Sequence, residues 1–207
     1  MRKLFKNKRG IVGVEAAIVL IAFIIIAAAL SYVVINMGFY TTQKTKETMQ
    51  SGLEESLSAL QLDGVVTGKT NANSQIEYIV FPVKLSAGKA AVDLKNESVI
   101  VSVYLPNATL MNVYKGVEST NEPDLDKLVT SLGLTGDDAM FAIYNGDGDS
   151  VLESNEKAFL VLHLGTGHTI ADYETVKIEV RTAKGAALTV VRTAPGGMPD
   201  DSYVDLG

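Results

Sequence analysis

The chain has 207 residues, 47% of them hydrophobic and 20% charged, with no cysteine, no tryptophan and a net charge of -6. That length leaves room for one ordinary domain plus an appendage, and the composition excludes a disordered acidic chain and a disulfide scaffold. The absence of cysteine removes thiol catalysis, Fe–S clusters and cysteine zinc sites, the acidic balance argues against nucleic-acid binding, and His163 and His168 are too few for a multi-histidine metal centre.

Charge is uneven along the chain. Residues 1–10, MRKLFKNKRG, hold Arg2, Lys3, Lys6, Lys8 and Arg9 and no acid, which leaves 13 of the 18 bases against all 24 acids in the remainder. Behind this basic segment, residues 11–35 are apolar except for Gly13, Glu15, Ser31 and Tyr32. As a helix this run is about 38 Å long, enough to cross the roughly 30 Å of bilayer hydrocarbon. It is longer than the apolar region of a secretory signal peptide and lacks that signal's small-residue cleavage site. Bases before the run and none directly after it predict a cytoplasmic amino terminus and an external body.

The helical pattern continues past the greasy run. Met49, Leu53, Leu57 and Leu60 recur at helical spacing beside Lys44, Lys46, Glu47, Glu54 and Glu55, so one helix is predicted from Ile11 to Leu62, apolar all round first and one-faced later. Gly13 with Ala17, and Ala27 with Ser31, form small-xxx-small pairs that let helix backbones approach closely. Glu15 near the end of an apolar helix is costly unless it finds a partner.

The basic run ending in Lys8-Arg9-Gly10, the apolar helix starting directly after that glycine, and the NMGFYTTQK exit at 36–44 resemble the class III signal peptide and amino-terminal helix of archaeal flagellins, the archaellins, which are related to type IV pilins. The resemblance implies removal of residues 1–10 by a membrane prepilin peptidase cutting between Gly10 and Ile11. It further implies that residues 11–62 serve as a membrane span in the precursor and as filament core after assembly. In the related pilins a carboxylate at the fifth mature residue meets the new amino terminus of a neighbour, and Glu15 stands at that position. Gly13, Ala17, Ala27 and Ser31 join it as expected assembly residues. The implied partners are further copies in a helical homopolymer, other archaellins, a membrane assembly platform with its ATPase, and N-glycans.

From residue 63 the period changes. Residues 62–74 read as a polar link, after which Ile79, Phe81, Val83 and Leu85 alternate, as do Val99, Val101, Val103 and Leu105, then Val176, Ile178 and Val180 against Lys177, Glu179 and Arg181. Runs at 140–144, 158–164 and 187–192 add strands, and a short helix is predicted at 123–132, with Pro123 in its first turn and Leu125, Leu128, Val129 and Leu132 as its stripe. The expected class is α+β, a long amino-terminal helix followed by an antiparallel, immunoglobulin-like β-sandwich over 63–207.

Two sequons, at Asn96 and Asn107, fall on the side placed outside the cell, where N-glycosylation acts. The densest set of hard oxygens is NGDGDSVLESNE. With Asn145 first, donors fall at Asn145, Asp147, Asp149, Glu153 and Glu156, and the Val151 carbonyl takes the seventh position, an EF-hand-like spacing that suits a structural Ca²⁺. Ser150 replaces the usual turn glycine and the flanks read as strands. The same residues also suit a hairpin whose Asn-Gly and Asp-Gly pairs serve turn geometry.

Nothing points to catalysis. There is no G-x-S-x-G and no phosphate loop, and Gly165-x-Gly167 is too short for a dinucleotide turn. His163 reads as a packed strand residue on the side of Phe159 and Val161, and His168 as a loop residue without a partner. The expected function is a structural subunit of the archaeal flagellum, an extracellular filament turned for swimming. A pilin-like adhesion subunit and a monomeric membrane-anchored surface protein stand as alternatives.

Overall fold

Isoleucine and valine dominate residues 11–35 and favour strands in a water-facing sheet, yet the segment is helical, the one open structure that satisfies every backbone group within itself in lipid. The computed structural model describes residues 9–56, 59–86, 91–122 and 124–207. Helix α1 spans Arg9–Ser56, 48 residues and thus about 72 Å, and its side chains are described from Gly13 to Leu53. Arg2, Lys3, Lys6 and Lys8, together with Leu57 and Pro123, lie outside the described residues. Chain contacts divide the molecule into two units that part between Gly52 and Leu53.

The helix stops earlier than its sequence pattern suggests. Residues 60–62, read above as the last helical turn, form strand β1 (Leu60–Leu62), which pairs with residues 83–85. Leu60 is buried in the β core, so a sandwich contact takes the place of a further helical stripe. The expected link at 62–74 likewise holds a strand, β2 (Thr67–Thr70). Thr-Gly-Lys-Thr has no apolar alternation to announce it. It forms because both of its edges are paired and because Gly68 lets the strand lie close to its neighbours: a Cβ there would stand 3.1 Å from Ile76 and 3.3 Å from Leu206.

The remaining elements are β3 (Ile76–Leu85), β4 (Val92–Asp93), β5 (Val99–Tyr104), β6 (Thr109–Leu110), β7 (Tyr114–Thr120), α2 (Leu125–Ser131), β8 (Asp138–Tyr144), β9 (Val151–Leu152), β10 (Lys157–His163), β11 (Thr175–Thr182), β12 (Leu188–Thr193) and β13 (Tyr203–Asp205). One sheet runs β13-β2-β3-β10-β8-β7, with β1 also on β3. The second runs β12-β11-β5-β6, and β4 pairs with β9. Inward residues of both sheets, among them Phe81, Phe141, Leu160, Val101, Ile178 and Val190, meet in a single core, as face-to-face sheets require.

One pairing departs from the antiparallel expectation. β7 lies parallel to β8, because residues 121–137 between them include α2, and a parallel neighbour needs such a crossover. Asp124 caps α2 by accepting the Asp126 N–H at 3.0 Å. The predicted stripe holds: Leu128, Val129 and Leu132 pack with Val80, Ala142 and Val161 on the outer face of the larger sheet, giving three layers of helix, sheet and sheet.

Asp63 fastens the start of the sandwich. It follows β1, and its carboxylate lies 2.5 Å from Lys84 Nζ of β3 and 2.6 Å from Lys157 Nζ of β10. The Lys157 and Lys84 ammonium groups hold its pKa below the usual carboxylate value. A depressed carboxylate pKa contributes stability above the unfolded value of about 3.9, and that contribution is lost as pH falls through the lower folded value. Asp63→Asn should therefore lower the melting temperature of the full-length chain in detergent at about pH 6. The difference from wild type should shrink toward zero by about pH 2, as followed by circular dichroism.

Candidate assembly surface

Among the described residues, most of the exposed large hydrophobic side chains lie on the helix. No residue of its apolar stretch within Gly13–Leu53 is buried, and Phe23, Val19 and Tyr40 are 74%, 65% and 67% exposed. Apolar side chains surround the helix through Ile35, so no orientation against a single flat surface would cover them. Each such side chain gains about 1.5–3 kcal/mol on full burial. The run from Val14 to Ile35 thus outweighs the roughly 4–15 kcal/mol that association costs, provided the neighbours surround it.

The expected assembly residues sit on this surface. Gly13, Glu15, Ala17, Ala27 and Ser31 are all exposed, and a Cβ added to Gly13 would touch nothing. Ser31 returns its hydroxyl to the Ala27 carbonyl at 2.8 Å, so the second small pair hides its own polar group and presents a low apolar saddle to a neighbouring helix. Thr41, Thr42 and Thr48 do the same toward Met37, Gly38 and Lys44, extending the self-satisfied surface past the greasy run. Gly10 and Ile11 lie within the first turns of α1.

Both sequons are presented to solvent. Asn96 is exposed in a turn closed by the Ser98 N–H to Lys95 carbonyl bond at 2.9 Å, and Asn107 is exposed at the β5–β6 tip, closed by Leu105 N–H to Ala108 carbonyl at 2.8 Å. They therefore stand at the two ends of β5.

The oxygen-rich loop uses its acids on its own backbone. Asp147 Oδ1 accepts the Asp149 N–H at 3.2 Å, Asp149 Oδ1 accepts the Val151 N–H at 2.7 Å, and the buried Glu156 carboxylate accepts the N–H groups of Asp147 and Glu153. Asn145 takes φ 61° and Gly148 φ 98°, values that asparagine and glycine tolerate best. Val151 lies in β9 opposite Asp93. Among the described residues no three acid or histidine side chains converge as metal ligands, and the donors of 145–156 do not fit a Ca²⁺ shell as they are turned here.

The two histidines, by contrast, meet in one place. With Glu77 and Asp137 they line an open groove of about 460 Å³. His163 is buried as expected for a packed residue, with Nδ1 donating to the Gly136 carbonyl at 2.5 Å, Nε2 3.2 Å from Glu77 and its ring 4.4 Å from that of Tyr78. His168 is not partnerless: its Nδ1 is 2.9 Å from Asp137, whose other oxygen accepts the Gly165 N–H. The imidazoles tie the loop before β8 to the loop after β10. Sequence reading missed this because residue 137 and residue 168 are adjacent only after β8 and β10 pair.

Comparison with known proteins agrees with the helix-plus-sandwich organisation. Residues 10–192 match the family described as archaeal-type flagellin. The chain is 47% identical over 205 residues to probable flagellin 1 of Aeropyrum pernix, covering 98% of this chain and 100% of that one. Its fold resembles the crystal structure of archaeal flagellin FlaB1 from Methanocaldococcus jannaschii, with TM-score 0.59 and 17% identity over 71% of this chain and 95% of that chain. The subunit of the archaeal flagellum of Methanospirillum hungatei strain JF1 aligns over 89% of this chain and 94% of its own, with TM-score 0.54 and 26% identity.

The spent carboxylates make a direct prediction. Removing divalent cations with a chelator should leave the melting temperature of the full-length chain unchanged, as measured by scanning calorimetry. A drop reversed by added Ca²⁺ would instead establish a metal at residues 145–156.

Proposed function

The chain belongs to the archaeal-type flagellin family and is a structural subunit of the archaeal flagellum, and from that premise we propose that it polymerises through α1 into the filament that is rotated for swimming. The observation that carries this is a 48-residue helix whose long apolar run is unburied within its own chain. In the precursor, lipid covers that run, and the basic residues before it hold the amino terminus at the cytoplasmic face. In the filament, identical helices cover it.

Exchange of one environment for the other requires release from the basic segment. We propose cleavage between Gly10 and Ile11 by a prepilin peptidase, followed by extraction through a membrane assembly platform driven by its ATPase. Cutting there removes all five amino-terminal bases and leaves a new α-ammonium group four residues before Glu15. An exposed carboxylate within an apolar helix gains most from a cation presented by a neighbour, and the neighbour's new amino terminus supplies one. N-glycans at Asn96 and Asn107 complete the reading, since both asparagines stand in exposed turns. The chain's role is mechanical, in keeping with its family, and no step of chemistry is assigned to it.

Three experiments test this reading. Filaments sheared from cells should contain a chain whose intact mass begins at Ile11, increased by glycan on the peptides holding Asn96 and Asn107, and deletion of the chain should abolish swimming. A mature chain retaining Met1 would identify an anchored monomer, and loss of attachment with swimming intact would identify an adhesion pilin. Glu15→Gln should remove a charge-assisted contact worth about 1.5–3 kcal/mol, a factor of roughly ten or more in subunit association. The processed chain should then accumulate in the membrane fraction while filament yield falls, as measured by immunoblot of sheared and cell-bound material.

A further inference from the structure

The loop after β10 carries the chain from one sheet to the other. Within it Ile170 bridges to Ile76 at the start of β3, Thr169 donates to Gln75 Oε1 at 2.8 Å, and from Thr175 the chain continues as β11 of the smaller sheet. Tyr104, the last residue of β5, is the register partner of Lys177 near the start of β11, which brings the β5–β6 tip beside this loop. Asn107 and Ala108 of the tip share a narrow cleft with Gly167, His168, Thr169 and Glu174. The sequon asparagine is thus one wall of a cleft, not the point of an isolated hairpin.

His168 connects that cleft to a larger space. It also lines the groove of about 460 Å³ that it shares with Glu77, Thr135, Asp137 and Thr166, a volume within the roughly 300–1,000 Å³ of small-ligand clefts. The Asp137 carboxylate meets the His168 Nδ1 and the Gly165 N–H, each at 2.9 Å, so this dividing wall is held in place before any ligand arrives. A saccharide suits the lining. Its hydroxyls can donate to the Glu77 and Asp137 carboxylates and to the threonine oxygens, and a carboxylate with about four lone-pair sites keeps acceptors to spare after two hydrogen bonds.

We propose that the glycan on Asn107 lies back along the protein, its first sugars passing His168 into the groove between Glu77 and Asp137. The occupant follows from attachment. The acceptor stands at the rim, so a saccharide linked there is held at an effective concentration on the order of millimolar, and contacts too weak to retain a free sugar become populated. The seated sugar ties the β5–β6 tip of the smaller sheet to the loop before β8 of the larger one and so fastens that end of the sandwich. Asn96 stands at the other end of β5, about 20 Å away at 3.3 Å per strand residue, and its glycan starts far from this groove. This inference rests on the glycosylation reading above.

The test compares filaments sheared from cells that make the unsubstituted chain, Asn107→Gln, Thr109→Ala or Asn96→Gln. Asn107→Gln and Thr109→Ala destroy the same sequon at different residues, both exposed, so an effect common to the two belongs to the sugar. Amide hydrogen exchange is followed by mass spectrometry on peptides covering 134–137 and 165–169, which contain neither substitution. Exchange there should be roughly threefold or more faster in both variants and unchanged in Asn96→Gln. Equal exchange in the unsubstituted chain and both variants, with the Asn107 glycopeptide confirmed, would overturn the groove proposal and leave glycosylation standing. An Asn107 peptide without sugar in the unsubstituted chain would overturn both. A helical reconstruction of unsubstituted filaments needs no variant to fold: sugar density should leave Asn107 along His168, and density projecting from Asn107 straight into solvent would overturn the proposal.

Discussion

An apolar helix surface without a partner in its own chain governs the rest of this protein. Water cannot accommodate the run from Val14 to Ile35, since leaving those side chains exposed would cost more than the stability of an ordinary domain. The surface therefore has two acceptable environments, lipid and other helices of the same kind. A helix that only anchored a domain would need the length of a bilayer, about 30 Å, whereas α1 extends for 48 residues and about 72 Å. The additional length, with its threonine hydroxyls bonded back to the helix, is intelligible as contact surface for neighbouring helices.

The β-sandwich is a second unit with its own core. Its first strand ties in through Leu60 and through the Asp63 carboxylate between Lys84 and Lys157. This division of labour lets cohesion reside in α1 while the outer sequence carries the features met by solvent: the sequons and the self-capped 145–156 loop. The parallel β7–α2–β8 crossover places α2 on the outer face of the larger sheet.

The legible and illegible parts of the sequence divide along physical lines. Hydropathy announces α1, because twenty-five residues with four polar or glycine interruptions admit one structure in lipid. Period-2 alternation announces β3, β5 and β11, and the leucine stripe announces α2. What is hidden depends on pairing. β2 has Thr-Gly-Lys-Thr and no alternation, and it exists because β3 and β13 flank it. β7 has a mostly exposed sequence whose parallel direction follows from the crossover. The end of α1 is hidden because Leu60 fits a helical stripe and a strand equally well by spacing. The His168–Asp137 pair joins residues 31 positions apart, and spacing rules built for local motifs do not reach it. The 145–156 loop shows the converse: an EF-hand-like order of oxygens says nothing of where they point, and here Asp147, Asp149 and Glu156 accept backbone N–H groups.

The most direct measurement of the central claim is a helical reconstruction of filaments sheared from cells. The account predicts a core made of α1 helices from neighbouring copies, in contact along the Val14–Ile35 run, with the sandwiches outside. A core built from the β domains, or a chain recovered only as dispersed single copies in detergent, would contradict it.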